Sequence, residues 1–247
     1  ASANVNSTPL TIPIAPTGLS TTPSDTQISV AFTPPLNNGG STITNYEYST
    51  DGGTSWAAFS PTDTNSPVVI TGLTNGTAYA IGLRAVNAAG SGAASVSVNA
   101  TPMTIASAPT NLIATAGDAQ VSVAFALPSN NGGSTITNYE YSKDGGTSWA
   151  ALSPTDTSSP VAITGLTNGT TYAIGLRAVN AAGAGTASAN VISTPLAIPS
   201  APTGLIVTVG DAQVSVAFTP PLSNGGSTIT NHEYTTDGGT SWTAFAP

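Results

Sequence analysis

The chain has 247 residues, of which only 6% are charged: three cations (Arg84, Lys143, Arg177) stand against eleven acids, for a net charge of −8, where a soluble domain ordinarily carries about 25% charged residues. Solubility therefore rests on hydroxyls and amides, and without a basic cluster the electrostatic footprint that holds nucleic acid or an anionic membrane surface is missing. Cysteine is absent, which excludes a disulfide framework and thiolate metal sites, and no run of about 20 apolar residues could span a bilayer.

Along the chain the dominant signal is a repeat. Pro16, Pro109 and Pro202 head the blocks APTGL, APTNL and APTGL, and Trp56, Trp149 and Trp242 keep the same interval of 93 residues. A fixed period of this kind marks tandem copies of one structural unit. Residues 70–90 differ from 163–183 only at Ala78 versus Thr171. Residues 1–9 (ASANVNSTP) match 187–195 (ASANVISTP), so 1–14 are expected to be the last strand of a preceding module plus a linker. Modules then follow at 15–107 and 108–200, and 201–247 form the first half of a third. Half a sandwich would leave strand edges and core open, so the ends are expected to be cuts through a longer array.

Within the first unit, residues 26–33 alternate with Ile28, Val30 and Phe32 on one face. Further apolar runs fall at 43–48, 55–59 and 67–73. Residues 78–87 then alternate Tyr79, Ile81, Leu83 and Ala85 with small residues and Arg84, and a last run covers 93–101. Turn clusters LNNGG, TDGG and LTNG separate them. Period two with β-branched and aromatic enrichment means strands half buried against a partner sheet. About seven short strands in roughly 90 residues predict tandem immunoglobulin-like β-sandwiches, all-β, with seven strands per module.

The strand SVAFTPP, the run ITNYEYS and the segment ITGLTNGTAYAIGLRAVNAAGSG together resemble a fibronectin type III module of the kind common in bacterial surface and secreted proteins. The resemblance covers essentially the whole chain. It implies structural roles for Leu73 and Tyr79, and for Leu166 and Tyr172, which stand where the family keeps a leucine and the tyrosine of its corner. Such a ring fills the end of the core while its hydroxyl bonds upstream backbone. Phe32, Phe125 and Phe218 depart from the tryptophan usual in the family's second strand, which alters core filling and leaves the fold expectation intact. The Arg-Gly-Asp tripeptide of some animal modules is missing, so integrin binding has no support.

The segment 49–56 (STDGGTSW) fits the Asp-box pattern S-x-D-x-G-x-x-W known from sialidase propellers, and recurs at 142–149 and, with threonine first, at 235–242. A sugar-cleaving propeller grips its substrate carboxylate with several arginines, and this chain has two, at equivalent positions of separate repeats. The expected role of Asp51, Asp144 and Asp237 is instead to bond backbone amides in a tight hairpin turn, with Trp56, Trp149 and Trp242 packing over it. Glu47, between Tyr46 and Tyr48, is expected on a solvated face. The single histidine, His232, replaces Tyr46 and Tyr139 of the other repeats and reads as drift. Asp63 and Asp156 supply one carboxylate per loop, short of the usual six to eight oxygen ligands of calcium. No catalytic residue, metal site or cofactor is assigned. Sequons begin at Asn6, Asn75, Asn99 and Asn168.

Short proline-bearing connectors join the repeats. Proline favours extended geometry, and Leu10 and Ile12, Met103 and Ile105, and Leu196 and Ile198 are expected to pack at the module junctions. The leading expectation is a non-enzymatic structural repeat of an extracellular or cell-surface protein: a stiff rod, or part of a fibre, sheath or adhesin stalk. Its partners would be neighbouring modules of the same chain and identical chains in a fibre. The alternatives are an array that binds a glycan or protein ligand, and a spacer in a secreted polysaccharide-degrading enzyme.

Overall fold

The computed structural model describes residues 9–246, so the strand expected at the start of the chain lies outside the described residues. The first repeat contains β1 (Thr17–Ser24), β2 (Gln27–Thr33), β3 (Asn45–Ser49), β4 (Ala57–Ala58), β5 (Val68–Thr71), β6 (Tyr79–Asn87), β7 (Gly90–Ser91) and β8 (Val98–Ala100). The second contains β9 (Thr110–Gly117), β10 (Gln120–Ala126), β11 (Asn138–Ser142), β12 (Ala150–Ala151), β13 (Val161–Thr164), β14 (Tyr172–Asn180), β15 (Gly183–Ala184) and β16 (Val191–Ser193). The third contributes β17 (Thr203–Gly210), β18 (Gln213–Thr219), β19 (Glu233–Tyr234) and β20 (Thr243–Ala244). No helix occurs among the described residues.

Each full repeat is a pair of sheets. One has the order β1-β2-β5; the other runs β4-β3-β6-β7, with β8 also paired to β6, and the second repeat copies both. β7 lies against Val86 and Asn87 while β8 lies against Tyr79–Ile81. They are two pieces of one seventh strand, broken where Ser95 bonds the Leu83 carbonyl with its amide and the Leu83 amide with its hydroxyl.

Two elements differ from their sequence-based expectation. β1 carries no strong apolar alternation, only Leu19 and two half-buried positions after it. It sits at the edge of its sheet, where Pro23 opposite Ile28 can lack an N–H without breaking a central ladder. The run expected at 55–59 is a strand only at Ala57–Ala58, because Ser55 and Trp56 are held in the preceding turn.

The core of the first repeat is built by alternation. Ile28 and Val30 from β2, Val68 and Ile70 from β5, and Ile81, Leu83 and Ala85 from β6 are all at most 1% exposed. Burying a valine, leucine or isoleucine side chain stabilises by about 1.5–3 kcal/mol. Phe32 lies edge-on to Tyr46 at 4.6 Å between ring centroids, and Phe125 repeats this against Tyr139 at 4.8 Å. In the third repeat Phe218 is partly buried and meets His232 instead, at 4.8 Å.

The Tyr139 hydroxyl is buried without a hydrogen-bond partner. An unsatisfied buried polar group of this kind costs about 1–3 kcal/mol. Tyr139→Phe should therefore raise the stability of the second repeat by about 1 kcal/mol, seen as a higher urea midpoint in equilibrium unfolding. A lower midpoint would show that the hydroxyl is satisfied in solution.

Candidate functional site

The polar turn between β3 and β4 is organised by one carboxylate. Ser49, the buried last residue of β3, donates its hydroxyl to Asp51 Oδ1 at 2.7 Å and accepts the Gly53 amide at 2.7 Å. Asp51 Oδ1 also accepts the amides of Thr54 and Ser55, both at 2.9 Å, and Oδ2 accepts the Ser55 hydroxyl at 2.5 Å. The Trp56 indole N–H then donates to the Gly53 carbonyl at 3.1 Å. Asp144 and Trp149 repeat this set with Ser142, Gly146, Thr147 and Ser148. Asp237 repeats the carboxylate bonds with Thr235 in place of serine. A hydroxyl is what the position requires, and either residue supplies one. The Ser55 hydroxyl, then the Ser55 amide, then the Ser49 hydroxyl hold the Asp51 carboxyl well below the usual carboxylate range. Four donors on one carboxylate make it a brace for the turn.

Above the turn lies an arrangement that the sequence expectations missed. The pairing of β3 with β6 sets Glu47 opposite Arg84. Arg84 Nε donates to Glu47 Oε2 at 2.5 Å, and its guanidinium carbon lies 4.5 Å from the centre of the Trp56 ring. Arg177, Glu140 and Trp149 reproduce the stack, with the ion pair at 2.6 Å and the ring at 4.5 Å. Glu47 is thus paired and only 20% exposed in its side chain, a correction to the solvated face expected for it. The cluster is worth little energetically: an ion pair at the surface, even partly shielded as this one is, contributes on the order of 1 kcal/mol and the cation–π contact about as much. Its effect is to pin the indole onto the outer face of β6. The available signal was that two of the three cations occupy equivalent positions in the repeats.

At the opposite end of β6, the Tyr79 hydroxyl accepts the Thr74 amide at 3.0 Å, and Tyr172 accepts that of Thr167 at 3.0 Å. Leu73 and Leu166 are buried beside these corners, at 9% and 5% exposure. The sequon residue Asn75 bridges to the first turn, donating to Asp25 Oδ1 at 2.7 Å and accepting the Thr26 amide at 2.9 Å; Asn168 does the same with Asp118 and Ala119. Asp63 and Asp156 cap their own loops through Asn65 and Ser158.

The connectors dock by main chain. Thr11 donates to the Gly39 carbonyl at 2.9 Å and Ile14 to that of Asn37 at 3.1 Å, while Pro13 accepts the Ala93 amide at 3.1 Å. Asn87, 4% exposed at the end of β6, donates Nδ2 to the carbonyls of Thr11 (2.8 Å) and Asn38 (2.7 Å). One period later Thr104 bonds Gly132 and Ser107 bonds Asn130, with Asn180 clasping Thr104 and Asn131; another period on, Ala197 bonds Gly225 and Ser200 bonds Ser223. The side chains expected to pack here do not lead the contact. Leu10, Ile12, Ile105 and Leu196 keep 44–50% of their surface and Ile198 keeps 90%, while Met103 is half-buried. Pro13, Pro102, Ala106 and Pro195 are buried instead. The connectors are extended, and their inward parity is the opposite of the one expected.

A model of the fibronectin type III domain matches residues 15–101 and 107–194. The chain belongs to the fibronectin type III family. Among solved structures, the FN1–FN3 domains of chicken CNTN1 are similar at 18% identity, covering 74% of this chain and 68% of that one with a TM-score of 0.43. Family membership rests on the matched domains.

The Asp51 carboxyl has a folded-state pKa depressed below the unfolded value of about 3.9. Its contribution is present above that value and is lost only as pH falls through the depressed one. The amide resonances of Thr54 and Ser55 should therefore stay at their neutral-pH positions through pH 4 and begin to move only well below it. Titration of those amides with a midpoint near 4 would refute the brace.

Proposed function

We propose that the chain is a non-enzymatic structural repeat region of an extracellular or cell-surface protein, forming a stiff rod or part of a surface fibre, sheath or adhesin stalk. The observation that carries this reading is the docking of three successive connectors onto equivalent loops of their repeats through main-chain hydrogen bonds. Connectors meant as flexible tethers are rich in glycine and serine and make no such bonds. The chemistry-bearing side chains agree with it: the turn aspartates accept donors from their own turns, and both arginines are engaged by glutamate and tryptophan. With each repeat a pair of packed sheets, a run of like modules would add roughly 30–35 Å per module if strands of about ten residues rise 3.3 Å each.

Electron microscopy of the material isolated from its source tests the reading. Ordered fibres with a repeat commensurate with the module length are expected. Isolated, freely bending beads on a string would overturn the rod and turn attention to ligand binding.

A further inference from the structure

We propose that the turn Thr74-Asn75-Gly76 and the pair Gly132-Gly133 form a side-chain-free lock across the connector at 102–106, an interface whose partner is another copy of the same repeat; the inference rests on the rod reading and assigns it a device. All of these atoms belong to the compact unit comprising Ala1–Ser107, Asn130–Ile136 and Val179–Gly185. Gly76 donates its amide to the Pro102 carbonyl at 2.9 Å, and two residues further on Thr104 is held by Gly132 and Asn180. Only Met103 separates the two attachments. A hinge needs residues free to absorb changes in φ and ψ, and this connector is fastened on either side of a single residue.

The steric requirement is equally local. A Cβ on Gly133 would lie 2.3 Å from the Gly76 nitrogen and 2.6 Å from the Asn75 carbonyl carbon, and one on Gly76 would lie 3.0 Å from Gly133 Cα. In the other compact unit the same relation holds one period later. Gly169 donates to the Pro195 carbonyl at 2.9 Å, and a Cβ on Gly226 would lie 2.3 Å from the Gly169 nitrogen. The first repeat supplies an internal control. Gly40 has φ +80°, beside +82° for Gly133, but among the described residues a Cβ there would meet Pro9 O at 3.5 Å and Leu10 Cδ2 at 3.7 Å, both at ordinary contact distance. Left-handed strain is therefore common to both glycines, whereas the close approach is made at Gly133, and at Gly226 one period later, and not at Gly40 among the described residues. What the lock accepts is a T-N-G turn with a bare third position. What it rejects is any side chain on either facing glycine.

The full chain lacks cysteine, so Ala57→Cys with Ala181→Cys, both exposed and both within the unit that holds Gly76 and Gly133, gives a unique pair of spin labels for pulsed dipolar distance measurement. The doubly labelled parent should give a narrow distance distribution, Gly133→Ala a broadened and shifted one, and Gly40→Ala the parental one. Gly76→Ala, in an exposed turn, attacks the same contact from the other side and should also broaden the distribution, which keeps the test decisive if Gly133→Ala does not fold. A narrow parental distribution that survives Gly76→Ala or a folded Gly133→Ala unchanged would overturn the lock and leave the rod reading standing. A broad distribution in the parent would overturn both.

Discussion

β6 is the strand on which the rest of each repeat depends. Its alternation places Ile81, Leu83 and Ala85 in the core with no exposed surface, while Gly82 and Arg84 face outward beneath Trp56. Tyr79 begins it and closes the corner; Asn87 ends it and holds the connector. Because the side-chain period is two, a slip of one residue against β3 would turn the core residues to solvent, and Arg84 would no longer stand opposite Glu47. Core, corner, indole stack and connector are therefore consequences of one register.

The magnitudes separate what makes the fold from what shapes its surface. A dozen buried apolar residues form the core of the first repeat, each valine, leucine or isoleucine among them contributing about 1.5–3 kcal/mol. The Glu47–Arg84 pair and the cation–π contact together offer at most about 2 kcal/mol, too little to decide topology. In a chain only 6% charged the task of ordering the turns passes to hydroxyls, carboxamides and a few carboxylates that bond nearby backbone. Asp51 orders its hairpin, Asn45 ties the Phe59 carbonyl to the Asp63 amide, and Asn75 joins two distant turns. Local hydrogen bonding of this kind is what Ser, Thr, Asn and Asp do best outside regular ladders, and it accounts for their abundance here.

The all-β class, the repeat and the strands with strong alternation were legible because period two and a fixed interval are properties of the sequence itself. The turn carboxylate depends on no register, since Asp51 and its hydroxyl partners lie within a few residues of one another. The Arg84–Glu47–Trp56 stack was not legible, because it depends on which residue of β3 faces which residue of β6, and register is fixed by the buried face. β1 was missed because an edge strand with one half-buried leucine needs little apolar pattern. The connector parity was misread for a different reason. Apolar side chains at 10, 12, 103, 105, 196 and 198 suggested packing, whereas backbone seeking hydrogen-bond partners turned Pro13, Pro102, Pro195 and Ala106 inward.

A junction made of main chain has a further consequence for a tandem array. The same amide-to-carbonyl bond is made by Thr11, Thr104 and Ala197, so the residue type at that position is immaterial. Leu10, Met103 and Leu196 vary beside it, the two leucines keeping much of their surface in solvent and Met103 half-buried. Constraint falls instead on the groups that reach or admit the backbone: the carboxamides of Asn87 and Asn180, and the glycines whose Cβ would strike a carbonyl, such as Gly39 at 1.9 Å from Thr11 O and Gly132 at 2.0 Å from Thr104 O. Side chains elsewhere on the connector can drift without changing how it docks. Copies that diverge in this way keep equivalent couplings, so lengthening the array by duplication requires no new interface to arise.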